Sequence, residues 1–420
     1  MRDGSRLRLL LALGAIALAV GPGCASMRCR APDPFHRPCA DGFAYTKDGW
    51  RLGIRRIRPA RPDPGKLPVV LCHGLGLNGT FWTITDHHLP SQLAARGYEV
   101  FIPDLRGSGL SQRVGPIGRV NALLRETPLP EVGEGRWTID DQIYYDVPAI
   151  LDHIKRETGH DRVNWVGHSL GGMLMFAHLE TTPRPDRIAN LVAMGAPITM
   201  ANAPDRDMLR ANRAIRMMLR FIATGRMARP LMYFRPSGLE RVDGFYFSSQ
   251  NVDRKTIDRF YAYTLENLGR GALKQFEPFF EFGHLLSADG HYDYVLGLHR
   301  VKTPTLMVAG EADAMYSIAS TLQTFNALGS PDKTLLRFGK QHGQIADYGH
   351  CDLVWSRYAP VEIFPVVADW LDRRQPGVTG IWPVQPSPQR PLDVSPSPQQ
   401  GIETDLRPAL EVPTPQVQVR

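Results

Sequence analysis

The sequence predicts an α/β protein: a mostly parallel central sheet with helices on both faces, interrupted by a helical cap insertion. Three observations predict it. Short apolar runs alternate with amphipathic stretches along residues 65–375, the pattern of βαβ units. One of those runs leads directly into Gly167-His168-Ser169-Leu170-Gly171, a serine between two glycines at a strand-to-helix junction. The alternation stops across 197–300, where Met, Phe, Tyr and Arg accumulate, and then resumes.

Taken in chain order, residues 1–23 read as an export signal. Arg2, Arg6 and Arg8 precede an apolar run from Leu9 to Val20, shorter than the roughly 20 residues of a membrane-spanning helix. Gly21-Pro22-Gly23 ends the run with small residues, and Cys24 follows. The arrangement resembles a bacterial lipoprotein signal, which implies lipidation of Cys24 and an exported, membrane-anchored chain facing the periplasm or the cell surface. Ordinary secretion with cleavage near Ala25 is the alternative. A cytoplasmic protein with an apolar N-terminus is the third reading. Residues 24–40 hold Cys, Pro and Arg without periodicity and read as a tether.

The main domain is expected over 41–375, with the cap insertion at 197–300 inside it. Leu67 to Cys72 is a buried strand by length and flanks, Leu89 to Arg96 a helix ended by Gly97, and Tyr98 to Ile102 a strand. Ile139 to Thr158 reads as one long amphipathic helix closed by Gly159. Arg162 to Val166 and Ile188 to Met194 are strands flanking a helix from Leu170 to Thr181. Thr305 to Ala309 and Thr334 to Phe338 complete the series. Inside the insertion, helices are expected at 205–223, 253–268 and 271–282, and 113–137 is a Pro- and Gly-containing loop. From 376 to 420 the chain is Pro-rich among Gln, Ser and Val, too polar to offset its ordering entropy, and reads as a disordered tail.

Composition places limits on function. Hydrophobic residues at 43% and charged residues at 22% support a core of normal size without structural metals. The net charge of +7 contains no long Lys/Arg run, which argues against nucleic acid as partner and suits an anionic membrane surface at most. His87 and His88 read as loop residues, because no third ligand is spaced with them, and no metal or cofactor is expected. Cys29 and Cys39 are close enough in sequence to bridge. Cys72 and Cys351 each adjoin a candidate site histidine and read either as a pair or as buried free thiols, the preferred reading. Oligomeric state is left open.

The chemistry centres on Ser169. A sharp strand–turn–helix leaves no room for side chains, so Gly167 and Gly171 are needed around a serine thrust out at a helix N-terminus. Such a nucleophile needs a base, and the base an orienting acid. Asp313 lies in the loop after the strand Thr305–Ala309, with Glu311 as runner-up. His350 lies in Tyr348-Gly349-His350-Cys351-Asp352, before an apolar stretch, with His342 as competitor. The oxyanion requires two backbone donors. These are expected to be the N–H of Leu170 and that of Leu75, in Leu71-Cys72-His73-Gly74-Leu75-Gly76. His73 is expected to hold this loop by hydrogen bonds, and Gly74 to allow close backbone approach.

Together, His73-Gly74-Leu75, Asp104-Leu105-Arg106-Gly107-Ser108-Gly109, Gly167-His168-Ser169-Leu170-Gly171-Gly172, Gly310-x-x-Asp313 and the late His350 resemble the α/β-hydrolases over residues 65–375. Within them the chain resembles the acid lipase (lysosomal/gastric-type) group, through Tyr145–Asp152 leading to Thr158-Gly159, and through Gly349–Trp355 followed by Ala359-Pro360. The resemblance implies a carboxylesterase or lipase with serine, acid and base at Ser169, Asp313 and His350, and oxyanion donors at Leu75 and Leu170. It departs from that group at Leu170, where those lipases usually carry Gln. Haloalkane dehalogenases and epoxide hydrolases use an Asp nucleophile and polyhydroxyalkanoate synthases a Cys, so Ser169 argues against all three. An acyltransferase with the same triad, or a non-catalytic lipid- or partner-binding surface lipoprotein, are the alternatives. Arg206, Arg210, Arg213 and Arg220 recur at helical spacing among Met208, Leu209, Met218 and Leu219, as a lid or a plain amphipathic helix would. Phe276, Phe279, Phe280 and Phe282 are expected to line an acyl pocket or pack the cap.

Overall fold

The computed structural model describes residues 39–114, 135–200 and 239–378. The signal segment with Cys24 and Cys29, the arginine-bearing stretch with its expected helix 205–223, most of the 113–137 loop and the tail beyond 378 lie outside the described residues.

Among the described residues, nine strands form one sheet: β1 Gly42–Tyr45, β2 Trp50–Ile57, β3 Val69–Cys72, β4 Val100–Pro103, β5 Gln112–Arg113, β6 Val163–His168, β7 Ile188–Met194, β8 Thr305–Gly310 and β9 Lys333–Phe338. Their order is β1-β2-β4-β3-β6-β7-β8-β9, with β5 paired to β2. From β4 to β9 every pairing is parallel, whereas β1, β2 and β5 pair antiparallel at one edge. The interior strands β3, β4, β6, β7 and β8 are buried along their whole length, as strands covered on both faces must be.

The main helices are α1 Leu89–Ala95, α2 Val147–Thr158, α3 Leu170–Thr181, α4 Leu239–Tyr246, α5 Arg254–Arg259, α6 Arg270–Phe282, α7 Ile318–Ala327 and α8 Phe364–Asp372. Gly97 takes φ +91° just after α1, and Gly159 caps α2 in the left-handed region with its N–H on the Lys155 carbonyl. The chain moves one way along the sheet from β3 to β4 and the other way from β6 to β7. Right-handed crossovers therefore put α1 and α3 on opposite faces. That reversal, between β3 and β6, opens a crevice beyond the carboxyl ends of both strands.

Two expected helices are interrupted. Ile139 to Thr158 is not one α-helix: a turn at Ile139–Asp141 leads into a π-turn, Gln142–Asp146, before α2. Pro148 has no N–H for the Tyr144 carbonyl, and its ring crowds that carbonyl, so the backbone widens and the Val147 N–H reaches back to Gln142. The 253–268 helix likewise ends early, as α5 followed by a π-turn at Phe260–Thr264.

Candidate active site

The β3–β6 register builds one side of the site. Cys72 pairs with Gly167, which sets the His73-Gly74 loop beside His168-Ser169. Ser169 takes φ +53° and ψ −125°, the one non-glycine at positive φ among the described residues. Such backbone costs of order 1–3 kcal/mol and tends to mark a functional site. Its surroundings hold it there: the Ser169 N–H donates to the Met194 carbonyl at 2.9 Å, and the Ser169 carbonyl accepts from Gly172 and Met173 at 2.9 and 3.1 Å. A Cβ on Gly167 would stand 2.2 Å from the Gly171 carbonyl oxygen, and one on Gly171 would stand 2.4 Å from that of Cys72. Both glycines are thus required by backbone approach, not merely by the turn.

Gly74 packs directly on Ser169; a Cβ there would lie 3.0 Å from Ser169 Cβ and 3.5 Å from its Oγ. The loop bearing Leu75 therefore meets the N-terminus of α3, where Leu170 begins the helix. His73 bonds through Nδ1 to the Gly74 carbonyl at 2.9 Å, while Nε2 accepts from the Leu105 N–H at 3.1 Å. Burial lowers its pKa to about 4, so the ring is neutral and ties this loop to the one after β4.

The other half comes from the far side of the sheet. His350 Nδ1 lies 2.9 Å from Asp313 Oδ2, with side chains 3% and 2% exposed. Asp313 Oδ1 accepts from the N–H groups of Met315 and Tyr316 at 2.8 and 3.0 Å. The competitors are elsewhere. Glu311 and His342 bond each other at 2.7 Å, and Arg337 reaches Glu311 at 2.6 Å. Burial would raise the Glu311 pKa, but the bonds from Arg337 and His342 outweigh it and hold the carboxyl below its ordinary range.

Several neighbours escaped the sequence reading. Gly195, at φ +54°, lies under the His–Asp pair, where a Cβ would sit 3.1 Å from His350 Nδ1. Tyr316 stands edge-on to the His350 ring at 5.2 Å, and its buried phenol hydrogen-bonds with the Ser169 side chain. Desolvation, reinforced by the Asp313 charge, keeps that phenol protonated. His168 stacks between Phe81 and His350, with centroids at 4.5 and 4.6 Å, and its Nε2 meets the His350 carbonyl at 3.0 Å. Burial, and then the proximity of His350, push the His168 pKa well down. Asp352, fully buried and raised by burial to about 6, accepts from the Gly349 N–H and Asn251 Nδ2, fixing the histidine loop against the 248–251 segment. Its one signal in the sequence is a carboxylate opening an apolar run.

Within the insertion, Phe276 and Phe279 are buried, Phe280 is partly buried and Phe282 is 59% exposed, which removes Phe282 from any pocket or packed cap interior. Phe279 touches Tyr316 edge-on at 6.2 Å, so an aromatic path runs from the insertion to the base. Cys72 and Cys351 are buried free thiols, pushed up in pKa first by burial. Cys39 is in a disulfide whose partner lies outside the described residues. Among the described residues, no group of three His, Cys, Asp or Glu is placed to hold a metal, and no helix is long and apolar enough to cross a membrane.

Residues 68–356 match the alpha/beta hydrolase fold family. The gastric triacylglycerol lipase of Mus musculus is 25% identical over 359 residues, covering 78% of this chain and 87% of that enzyme. Triacylglycerol lipase 2 of Arabidopsis thaliana is 31% identical over 175 residues, 39% of this chain and 38% of that protein. Among solved structures, a thermophilic esterase from Thermogutta terrifontis gives a TM-score of 0.51 at 19% identity, over 79% of this chain and 98% of its own. An esterase from Exiguobacterium antarcticum gives 0.52 at 16%, over 79% and 99%. At such identities the two structures speak for the fold alone.

Proposed function

The chain belongs to the alpha/beta hydrolase fold family and is a hydrolase of the carboxylic-ester type, and from that premise we propose that it cleaves lipid esters through an acyl-enzyme on Ser169. The observation that carries this reading is the buried Asp313–His350 bond together with a strained Ser169, both of which meet Tyr316. With Nδ1–H committed to Asp313, His350 presents Nε2 as the base. It takes the Ser169 proton as Oγ attacks the ester carbonyl, and the N–H groups of Leu75 and Leu170 receive the developing oxyanion. Collapse of the tetrahedral species expels the alcohol, which takes the proton from His350. Water, activated by the same base, then attacks the acyl-enzyme and frees the acid, regenerating Ser169.

Lipid esters are the proposed class because the lipase relatives cover most of this chain. We further propose that the chain is exported and held at a membrane surface by lipid on Cys24. The Cys39 disulfide supports an oxidising compartment. A Cys24→Ser variant is then found in the soluble fraction while the parent sediments with membranes; equal partitioning overturns the anchor.

The test of the chemistry combines active-site labelling with a substrate series. A fluorophosphonate is expected to modify Ser169, and Ser169→Ala to lose both the label and ester hydrolysis, on the order of a million-fold in kcat. Hydrolysis of p-nitrophenyl esters of rising chain length then reports the acyl preference. An unlabelled wild type points to a binding protein, and acyl transfer to an added alcohol in preference to water points to a transferase.

A further inference from the structure

A narrow recess opens beside the two proposed oxyanion donors, with room for little more than a water-sized group. Gly74, Leu75 and Leu170 line it on the side of the nucleophile, and Trp137, Gln142 and Glu266 face them. Two polar atoms of these walls, Trp137 Nε1 and Gln142 Oε1, are buried and have no hydrogen-bond partner among the described residues. Their side chains belong to residues 9% and 3% exposed. A buried polar group left unpaired is destabilising, so the two atoms ask for a partner.

Their placement is built into the fold. The Trp137 indole is seated against two glycines: a Cβ on Gly107 would come within 2.6 Å of the ring, and one on Gly269 within 2.5 Å. Gln142 opens the π-turn Gln142–Asp146, which turns an extra residue toward the site. Asp146, at the far end of that turn, accepts from the Arg106 N–H at 2.9 Å and pairs with its guanidinium at 2.8 Å, so the turn is held against the loop after β4. Glu266 closes the wall; its Oε1 is occupied by Asn78 Nδ2 at 2.7 Å and the Gly109 N–H at 3.0 Å.

The chemistry of the two atoms selects the occupant. An indole N–H only donates, and an amide oxygen only accepts. A carboxylate satisfies the first and repels the second; an ammonium does the reverse; a methylene satisfies neither. A hydroxyl accepts from one and donates to the other, and it is the size of the space. We propose that the recess binds a free hydroxyl of the substrate, carried close to the scissile ester, so that hydroxyl-bearing esters are preferred over their deoxy counterparts. This rests on the reading of Ser169 as the nucleophile of an ester hydrolase. The hydroxyl can belong to the alcohol half, as in a partial glyceride, or to the acyl half, as in a hydroxyacyl ester.

The test compares kcat/KM within two pairs: glycerol monobutyrate against propyl butyrate, and ethyl 3-hydroxybutyrate against ethyl butyrate. The wild type is expected to favour the hydroxylated ester about tenfold or more in one pair, which identifies the half that carries the group. Gln142→Met and Trp137→Phe, removing the acceptor and the donor separately, are each expected to bring that ratio to about one. A wild-type ratio near one in both pairs overturns the inference without any variant, and means that the recess holds only water. A ratio that survives both substitutions also overturns it. An enzyme that takes the fluorophosphonate label and hydrolyses all four esters indifferently leaves the ester-hydrolase reading standing and removes this inference alone, whereas an unlabelled, inactive chain removes both.

Discussion

Asp313 divides its carboxylate between His350 and its own loop: Oδ2 bonds His350 Nδ1 at 2.9 Å, while Oδ1 is held by the Met315 and Tyr316 N–H groups. The acid is thus fixed before it can orient the base. Asp313→Asn keeps the shape but offers an amide to Nδ1, favouring the wrong tautomer of His350. The expected outcome is a fall in kcat of about 10,000-fold with the unfolding midpoint nearly unchanged. A variant with more than a tenth of the wild-type rate would show that another group orients the base.

Backbone strain at Ser169 should be measurable as stability. Glycine adopts φ +53° without the Cβ penalty, although it also loses more chain entropy on folding. Ser169→Gly is therefore expected to be inactive yet more resistant to urea than Ser169→Ala, which loses the same bond to Tyr316 but keeps the Cβ, by about 1 kcal/mol. Denaturant curves of the two proteins decide it; a less stable glycine variant contradicts the strain.

A third prediction concerns pH and lies away from the site. Glu180 is 7% exposed, and neither carboxyl oxygen has a hydrogen-bond partner among the described residues. Burial raises its pKa from 4.5 to about 8, against the opposing pull of Arg300. Between those values the unfolded chain has released the proton and the folded chain still holds it, so stability falls as pH rises through the window. Glu180→Gln is expected to match wild type near pH 4.5 and to exceed it at pH 8, by roughly 2–4 °C in Tm for each kcal/mol recovered. Melting curves that stay parallel across this range contradict it.

Cys72 and Cys351 give a chemical test of the core. Both are buried thiols held protonated by desolvation. Iodoacetamide is expected to leave both unmodified in the native protein and to alkylate both in guanidinium chloride, as read by peptide mass spectrometry. Rapid native labelling of either would mean that the sheet opens beside the site.

Much of this architecture is legible in the sequence, for reasons that are local. Val69–Cys72, Val163–His168 and Thr305–Gly310 are apolar because both sheet faces are covered, and the elbow is legible because glycine spacing and a strand-to-helix change occur within one short stretch. The antiparallel edge is not. β2, Trp50–Ile57, carries Arg51, Arg55 and Arg56 among its apolar residues, a mixed pattern that hides its place between β1 and β4, and the edge strand β1 has only four residues. The π-turn was written in Pro148, but periodicity alone passes over it. Gly195 and Tyr316 carry no local signal: each matters because a strand or loop distant in sequence lies against it. Glu311 and His342 show the converse, since a plausible acid and base by sequence find each other and Arg337 instead of Ser169.

His168 sits immediately before Ser169, and its ring holds the main chain of His350. The His350 main chain is thereby referenced to the elbow at the end of β6, like a gear mounted on the same plate. Asn251 and Phe279, from the stretch after β7, touch the same loop through Asp352 and Tyr316, so the plate carries a third wheel. A substitution at Asn251 or Phe279 is then felt at His350 itself, however far along the chain it lies from the elbow.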